Sequence, residues 1–157
     1  MGERAFIIVK KEKEGETIFR LRYSHWGAMD LYEGNEYVTN EVDKKETIIR
    51  GWYRLYEELM KWFDIEAIIF VNNFRDLKII EGYYIQQVWW FKITPFRYGF
   101  VALKEDISDE EWTEYFDDDN PKNKNKGVKD FIKLFKEKDC LFKDKIDIEK
   151  LLLLKSL

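Results

Sequence analysis

The stretch RAFIIVKKEKEGETIFRLRY, residues 4–23, decides the fold that we expect of this chain. It contains two β-prone runs, at about 5–11 and 16–23, separated by four residues that end in Gly15. Glycine adopts the backbone conformations that a tight turn requires, so the pattern predicts a β-hairpin. Strand alternation gives the second strand an expected core face with Phe19, Leu21 and Tyr23, and an opposite face with Ile18, Arg20 and Arg22.

Beyond the hairpin, one long helix is predicted at about 44–63, because apolar residues recur there at helical spacing. These residues are Ile48, Trp52, Leu55, Leu59 and Trp62. Four further β-prone runs follow, at EAIIFVNN, RDLKIIEGYY, 84–93 and 98–104. The expected class is therefore α+β: a mostly antiparallel sheet of about six strands with one long helix across it.

The sequence pattern predicts helices in the last third of the chain. Ser108 and Glu111 form a capping-box pattern, which predicts a short helix at 109–116. Residues 117–127 contain no apolar residue apart from a proline, which is typical of an exposed linker. An amphipathic helix begins at Val128, and a final helix is capped near Asp147. The expected organisation is an α+β domain at 1–116, a linker at 117–127 and a helical C-terminal extension at 128–157.

The charge and composition exclude several classes of protein. The chain has 27 basic and 31 acidic residues, a net charge of −4, which argues against wholesale attraction to nucleic acid or anionic membrane. The sequence contains neither a signal peptide nor a membrane span, so a cytoplasmic location is expected. Abundant Glu and Lys with little Gln and one Cys is a composition typical of heat-adapted organisms. Aromatic residues make up 17% and must fill the core or form a binding surface.

Motifs for cofactors and metals are missing from the sequence. There is neither a glycine-rich nucleotide loop nor a Gly-x-Ser-x-Gly nucleophile elbow. The single histidine excludes zinc sites that need two imidazoles, although a carboxylate-only magnesium site stays open. The acidic run DDDN, 117–120, resembles the start of a calcium loop, but Pro121 and Lys122 stand where a ligand and a glycine are needed. We therefore expect no cofactor and no metal.

The segment RYSHWGAMD, 22–30, holds that histidine, His25. If the second strand continues, His25 lies on the face of Tyr23, and Ser24 lies on the opposite face, so the two are not a nucleophile–base pair. One interpretation is a half-buried imidazole bonded to a backbone carbonyl. The other is a general acid–base imidazole, with Arg22 as an oxyanion or phosphate contact and Asp30 or Glu33 orienting the ring.

Two interpretations are open for each of three further features of the sequence. Cys140 is a nucleophile candidate in principle, but a buried inert thiol is favoured. The strand YYIQQVWWFKI is either covered on both faces or presents Trp89 and Trp90, with Arg97 nearby, for stacking on the bases of single-stranded nucleic acid. The C-terminal leucines at 151–154 either pack onto the same chain or mediate a homodimer.

The N-terminal third resembles a family of small archaeal proteins. Gly2, Arg4 and Ala5, followed by the block YSHWGA at 23–28, are similar to the opening of that uncharacterised family. The resemblance implies an archaeal origin and draws attention to the His25 segment, but it implies no activity.

The sequence as a whole favours a non-enzymatic binding or protein-interaction module over an enzyme. Its binding candidates are Tyr23, Trp26, Trp89, Trp90 and Arg97. The first alternative is a small hydrolase or nuclease with His25, Arg22 and Asp30 as catalytic residues. The second is a binder of single-stranded nucleic acid.

Overall fold

The computed structural model describes residues 4–25, 42–62, 65–74, 85–92, 99–104 and 107–156. The chain divides into two compact units, Met1–Trp89 and Trp90–Leu157. The strands are β1 (Ala5–Lys13), β2 (Glu16–Ser24), β3 (Thr47–Arg50), β4 (Ala67–Val71), β5 (Ile85–Lys92) and β6 (Val101–Leu103). The α-helices are α1 (Trp52–Met60), α2 (Asp109–Tyr115), α3 (Val128–Glu137) and α4 (Ile148–Ser156).

The predicted hairpin of β1 and β2 is confirmed. The two strands pair antiparallel along their whole length, from Ala5 opposite Ser24 to Lys13 opposite Glu16. Glu14 and Gly15 form a two-residue turn with positive φ angles of 54° and 76°. These angles match the type I′ turn, whose twist suits a hairpin.

The sheet has six strands in the order β3-β2-β1-β4-β5-β6, and it is mixed rather than mostly antiparallel as we predicted. β3 is antiparallel to β2 and β2 to β1, while β4 is parallel to β1. β3 and β4 therefore run in the same direction. Parallel strands need a crossover connection, and α1 supplies it because it lies between β3 and β4 in the chain.

The prediction of a single long helix at 44–63 is wrong. Residues Thr47–Arg50 form β3 and pair with β2, and the helix begins only at Trp52. Gly51 separates the two elements with φ 87° and ψ 156°, angles that no α-helix contains. Ile48, which the helical pattern assigned to the core, is 63% exposed on the edge strand.

The first unit has its core on both faces of the central strands. All five residues from Ala5 to Val9 are buried, and so is every residue of β4. The predicted core face of β2 is confirmed for Phe19 and Leu21, which are buried, while Tyr23 is partly exposed. α1 covers this face, since Leu55 and Leu59 are fully buried and the Trp52 ring meets Phe19 edge-on at 4.8 Å.

The second unit contains β6 and the three helices that follow it. α2 begins as the capping-box pattern predicted, with the Glu111 amide donating to the Ser108 hydroxyl at 3.2 Å. The Glu111 carboxylate accepts from Lys138 Nζ at 2.8 Å instead of returning to the cap. α4 is likewise capped by Asp147, which accepts from the Lys150 amide.

The segment 117–127 is exposed at most of its positions but makes defined contacts with α2. It contains a 3₁₀ turn, Pro121–Asn123, and the side chain of Asn123 is buried. The side-chain amide of Asn123 donates to the carbonyl oxygens of Thr113 and Asp117. Lys126 Nζ donates to those of Glu114 and Tyr115. These donors satisfy carbonyls that the end of a helix leaves without partners.

The chain after α3 pairs with the edge of β6. The Leu141 amide donates to Ala102 and the Lys104 amide donates to Asp139, with Cys140 opposite Leu103. The second unit is rich in fully buried aromatic rings, namely Phe100, Phe116, Phe131, Phe135 and Phe142. Leu151 and Leu152 of α4 are buried within the same chain, whereas Leu153 is 58% exposed. The predicted division into a domain at 1–116, a linker at 117–127 and a C-terminal extension at 128–157 stays a prediction.

The thiol of Cys140 is buried, and burial raises its pKa to about 12. At pH 8 we expect it to react with a maleimide about a thousandfold more slowly in the folded protein than in urea, because only the thiolate reacts. Stopped-flow labelling with and without urea measures the ratio. Equal rates in the two states would show that the thiol is accessible and ionised, as a nucleophile would be.

Candidate functional site

His25 lies directly after the last residue of β2 and is partly exposed. Its Nδ1 atom is 3.1 Å from the Tyr23 hydroxyl and 3.4 Å from Arg4 Nε. Tyr23 and His25 therefore lie on the same side of the strand, as alternation predicts. Ser24 lies between them and is completely buried.

Arg4 is a residue of this site that sequence reasoning missed. Its position follows from the hairpin register, because Ala5 pairs with Ser24, and one further step places Arg4 opposite His25. The signal was present in the sequence: a two-residue turn centred on Glu14 and Gly15 fixes every later pair across β1 and β2.

The contact with Arg4 favours one tautomer of the neutral imidazole. An arginine Nε–H can only donate, so the Nδ1 atom of His25 must present its lone pair to it. In a neutral imidazole the other nitrogen, Nε2, then carries the proton. In this tautomer Nε2 is a hydrogen-bond donor, and the lone pair of Nδ1 is directed at Arg4.

Aromatic rings stand beside the imidazole. Trp62, just after α1, stacks on Tyr23 with ring centres 5.2 Å apart and an interplanar angle of 30°. The buried ring of Phe6 contacts Trp62 edge-on, with ring centres 5.2 Å apart, and this contact stabilises the stacked pair. Trp62 and Tyr23 are themselves only partly buried. We call Arg4, Tyr23, His25 and Trp62 the His25 patch.

Arg22 belongs to a different cluster on the opposite face of β2. The register of β2 and β3 pairs Arg20 with Ile48, so Glu46 stands across from Arg22. Arg20 reaches Glu46 with two hydrogen bonds, Nε to Oε2 at 2.8 Å and Nη2 to Oε1 at 2.6 Å. Arg22 donates to Glu46 Oε1 from Nη2 at 2.7 Å and from Nε at 3.2 Å.

The ring of Phe74 packs against both guanidinium groups of this cluster. It lies 4.2 Å from the Arg22 guanidinium carbon and 5.2 Å from that of Arg20, and it is buried. The hydrogen bond from Arg20 keeps the pKa of the Glu46 carboxyl below its usual value, and the bond from Arg22 adds to this effect. The same contact raises the pKa of Arg20. We call Arg20, Arg22, Glu46 and Phe74 the arginine cluster.

The structure separates several residues that the sequence grouped together. Arg22 is engaged with Glu46 on the face away from His25, so these two catalytic candidates do not meet. Trp89 is buried, with 6% of its surface exposed, and Trp90 is partly exposed. The candidates Trp26, Asp30 and Arg97 lie outside the described residues, as does Glu33.

The acidic run after α2 brings three carboxylates together. Oxygen atoms of Asp117, Asp118 and Asp119 lie within 4.8 Å of one another. The Asp117 side chain accepts from the Asp119 amide at 3.0 Å, so it serves the local turn. Exposed acidic groups in such an arrangement are common without an ion, and the expectation of no metal stays a prediction.

Comparison of the chain with family models, curated proteins and solved structures finds no match. Function must therefore be inferred from the residues themselves. The similarity of the N-terminal motif to an archaeal family stays an expectation. Among the described residues, no helix has the length and apolarity needed to cross a membrane.

Proposed function

We propose that the chain is a non-enzymatic protein-interaction module that binds its partner through the His25 patch. Tyrosine, tryptophan and arginine are the residue types that contribute most to binding energy at protein interfaces. Here Tyr23, Trp62 and Arg4 stand together, all partly exposed, at the end of β2. The ring contacts of Phe6 with Trp62 and Tyr23 fix the orientation of these two rings before binding, which reduces the entropy lost on association.

One observation carries the proposal: Nδ1 of His25 accepts a hydrogen bond from Arg4. A histidine acting as a general base commonly donates from Nδ1 to an orienting group and receives the proton at Nε2. The His25 arrangement is the reverse, because Nε2 already carries a proton. This arrangement favours a binding role for the ring over the role of a general base.

The hydrolase or nuclease alternative needs Arg22 next to His25, but Arg22 pairs with Glu46 on the other face of β2. The composition favours a heat-adapted origin, and the resemblance of the N-terminal motif implies an archaeal one; a cytoplasmic location is part of the same proposal. Self-association through the C-terminal helices is a separate proposal, and the partial exposure of Leu153 supports it.

The tautomer of His25 can be tested directly, because the chain has a single histidine. A long-range ¹H–¹⁵N correlation spectrum of the labelled protein at pH 7.5 should show the tautomer with the proton on Nε2. Arg4→Met removes the donor to Nδ1 and should let the second tautomer appear. A proton on Nδ1 in the unmodified protein would contradict the proposal.

The binding role is tested by capture from the native cell with matched tryptophan variants. Trp62→Ala should lose the specific partner, while Trp112→Ala should keep it, since Trp112 is an exposed tryptophan of the other unit. Circular dichroism establishes that both variants fold. Retention of the partner by Trp62→Ala would refute the proposal. So would hydrolysis of p-nitrophenyl acetate or bis-p-nitrophenyl phosphate that His25→Ala abolishes.

A further inference from the structure

The arginine cluster contains more positive than negative charge. Two guanidinium groups, Arg20 and Arg22, share the single carboxylate of Glu46. The three side chains are 35%, 26% and 20% exposed, so water compensates the excess charge less than it would on an open surface. One unit of positive charge therefore remains without a counter-charge in the cluster.

The cluster also has unused hydrogen-bond donors. Both arginines direct Nε and Nη2 to Glu46, whereas neither Nη1 atom makes a hydrogen bond to any residue that the structure describes. A guanidinium carries five N–H groups in a fixed fork, and its Nη1 contributes two of them. The unused donors of two neighbouring arginines can converge on one acceptor group.

The orientation of both arginines is fixed in advance. Phe74 packs against each guanidinium, and Glu46 fixes one edge of each fork. A ligand therefore does not have to order two long side chains when it binds, which favours affinity. The side chains alternate along β2, so the cluster and the His25 patch lie on opposite faces.

We propose that Arg20 and Arg22 bind the phosphoryl oxygens of a phosphate-bearing ligand, with Glu46 as the group that orients both guanidiniums. Arginine matches phosphate geometry because two parallel N–H groups can bond two of its oxygens. A phosphate also supplies the negative charge that the cluster lacks. The cluster lies on the face of β2 opposite His25, so the proposed binding does not involve that residue.

The test measures binding of inorganic phosphate by ³¹P NMR titration at low ionic strength and pH 7.5. Arg22→Gln should weaken binding about tenfold or more, the effect expected for losing a charge-assisted hydrogen bond. Arg50→Gln removes the same charge from an arginine that is 71% exposed on β3, and it should change affinity by about twofold at most. Arg22→Lys keeps the charge without the fork and should fall between the two.

A second measurement does not depend on how well the arginine variants fold. Glu46→Gln leaves two cations without a carboxylate, so phosphate should raise its unfolding temperature more than sodium chloride of equal ionic strength does. Sodium chloride at equal ionic strength gives the general effect of salt on stability, and Arg50→Gln, which keeps the cluster, should be stabilised by phosphate as the unmodified protein is. Two results would overturn the proposal: absence of phosphate binding by the unmodified protein, or equal losses in Arg22→Gln and Arg50→Gln.

The source of the phosphoryl group is distinguished by a second ligand. A dT oligonucleotide that binds with the same dependence on Arg22 would place the phosphodiester backbone in this site, while phosphate binding alone favours a small phosphorylated molecule. Trp62→Ala should retain phosphate binding in either case. Its result separates a failure of this site from a failure of the interaction proposed for the His25 patch.

Discussion

We expect Gly51→Ala to lower the free energy of unfolding by about 2 kcal/mol, although alanine introduces no clash. The φ and ψ angles of Gly51, 87° and 156°, lie in a region that is essentially restricted to glycine and costs other residues about 1–3 kcal/mol. A Cβ at this position has nothing within 4 Å, so the backbone alone accounts for the cost. Urea denaturation at pH 7, followed by tryptophan fluorescence, measures the loss.

Gly127→Ala is the matched control for this prediction. Gly127 also precedes a helix, and a Cβ there also has nothing within 4 Å, but its φ and ψ of −113° and −165° are open to any residue. We expect a change of at most about 0.5 kcal/mol for this variant. Equal losses in the two variants would mean that the left-handed backbone of Gly51 is not what joins β3 to α1.

The residue Gly51 also explains why the long helix was predicted wrongly. From Trp52 to Trp62 the apolar spacing matches the observed helix and the turn after it, so periodicity was informative there. For Thr47–Arg50 the same spacing is accidental. Those residues include three β-branched side chains, and pairing with β2 is a tertiary interaction that local periodicity does not contain. A glycine inside a predicted helix was the local sign of a break.

The His25 patch was predictable in part from local rules. Alternation places Tyr23 beside His25, and the register of the tight turn places Arg4 across from it. Trp62 arrives from the end of α1, and its stack on Tyr23 depends on how the helix packs across the sheet. A single sequence carries no comparable rule for that packing angle.

The arginine cluster depends on contacts that no local pattern contains. Arg20 and Arg22 were predicted to share a face, and their common contacts with Glu46 and Phe74 confirm it. Glu46 lies opposite them because the residues that follow it pair with β2 as a strand. In the predicted helix, Glu46 would not have had this register with β2. Phe74 lies between two β-prone runs of the sequence, and its packing against two cations has no sequence signature.

Replacing Glu46 with glutamine should lower the free energy of unfolding by about 2 kcal/mol at pH 7. The carboxylate accepts four charge-assisted hydrogen bonds and is only 20% exposed, so its loss leaves Arg20 and Arg22 poorly compensated. Glu16→Gln is the control, because Glu16 meets Arg50 at 3.9 Å with both side chains largely exposed. An exposed pair of this kind contributes at most about 1 kcal/mol.

The effect of Glu46→Gln should depend on pH in a defined direction. The folded protein lowers the pKa of Glu46 through its hydrogen bonds to Arg20, so the folded state favours the ionised carboxyl more than the unfolded state does. The resulting stability is fully present above the unfolded pKa of about 4.3 and is lost as pH falls through the lower, folded value. Urea denaturation at pH 7, 5 and 3 should therefore give a difference between the unmodified protein and the variant that is large at pH 7 and smallest at pH 3. A difference that stays constant with pH would show that Glu46 stabilises the cluster by packing and not by its charge.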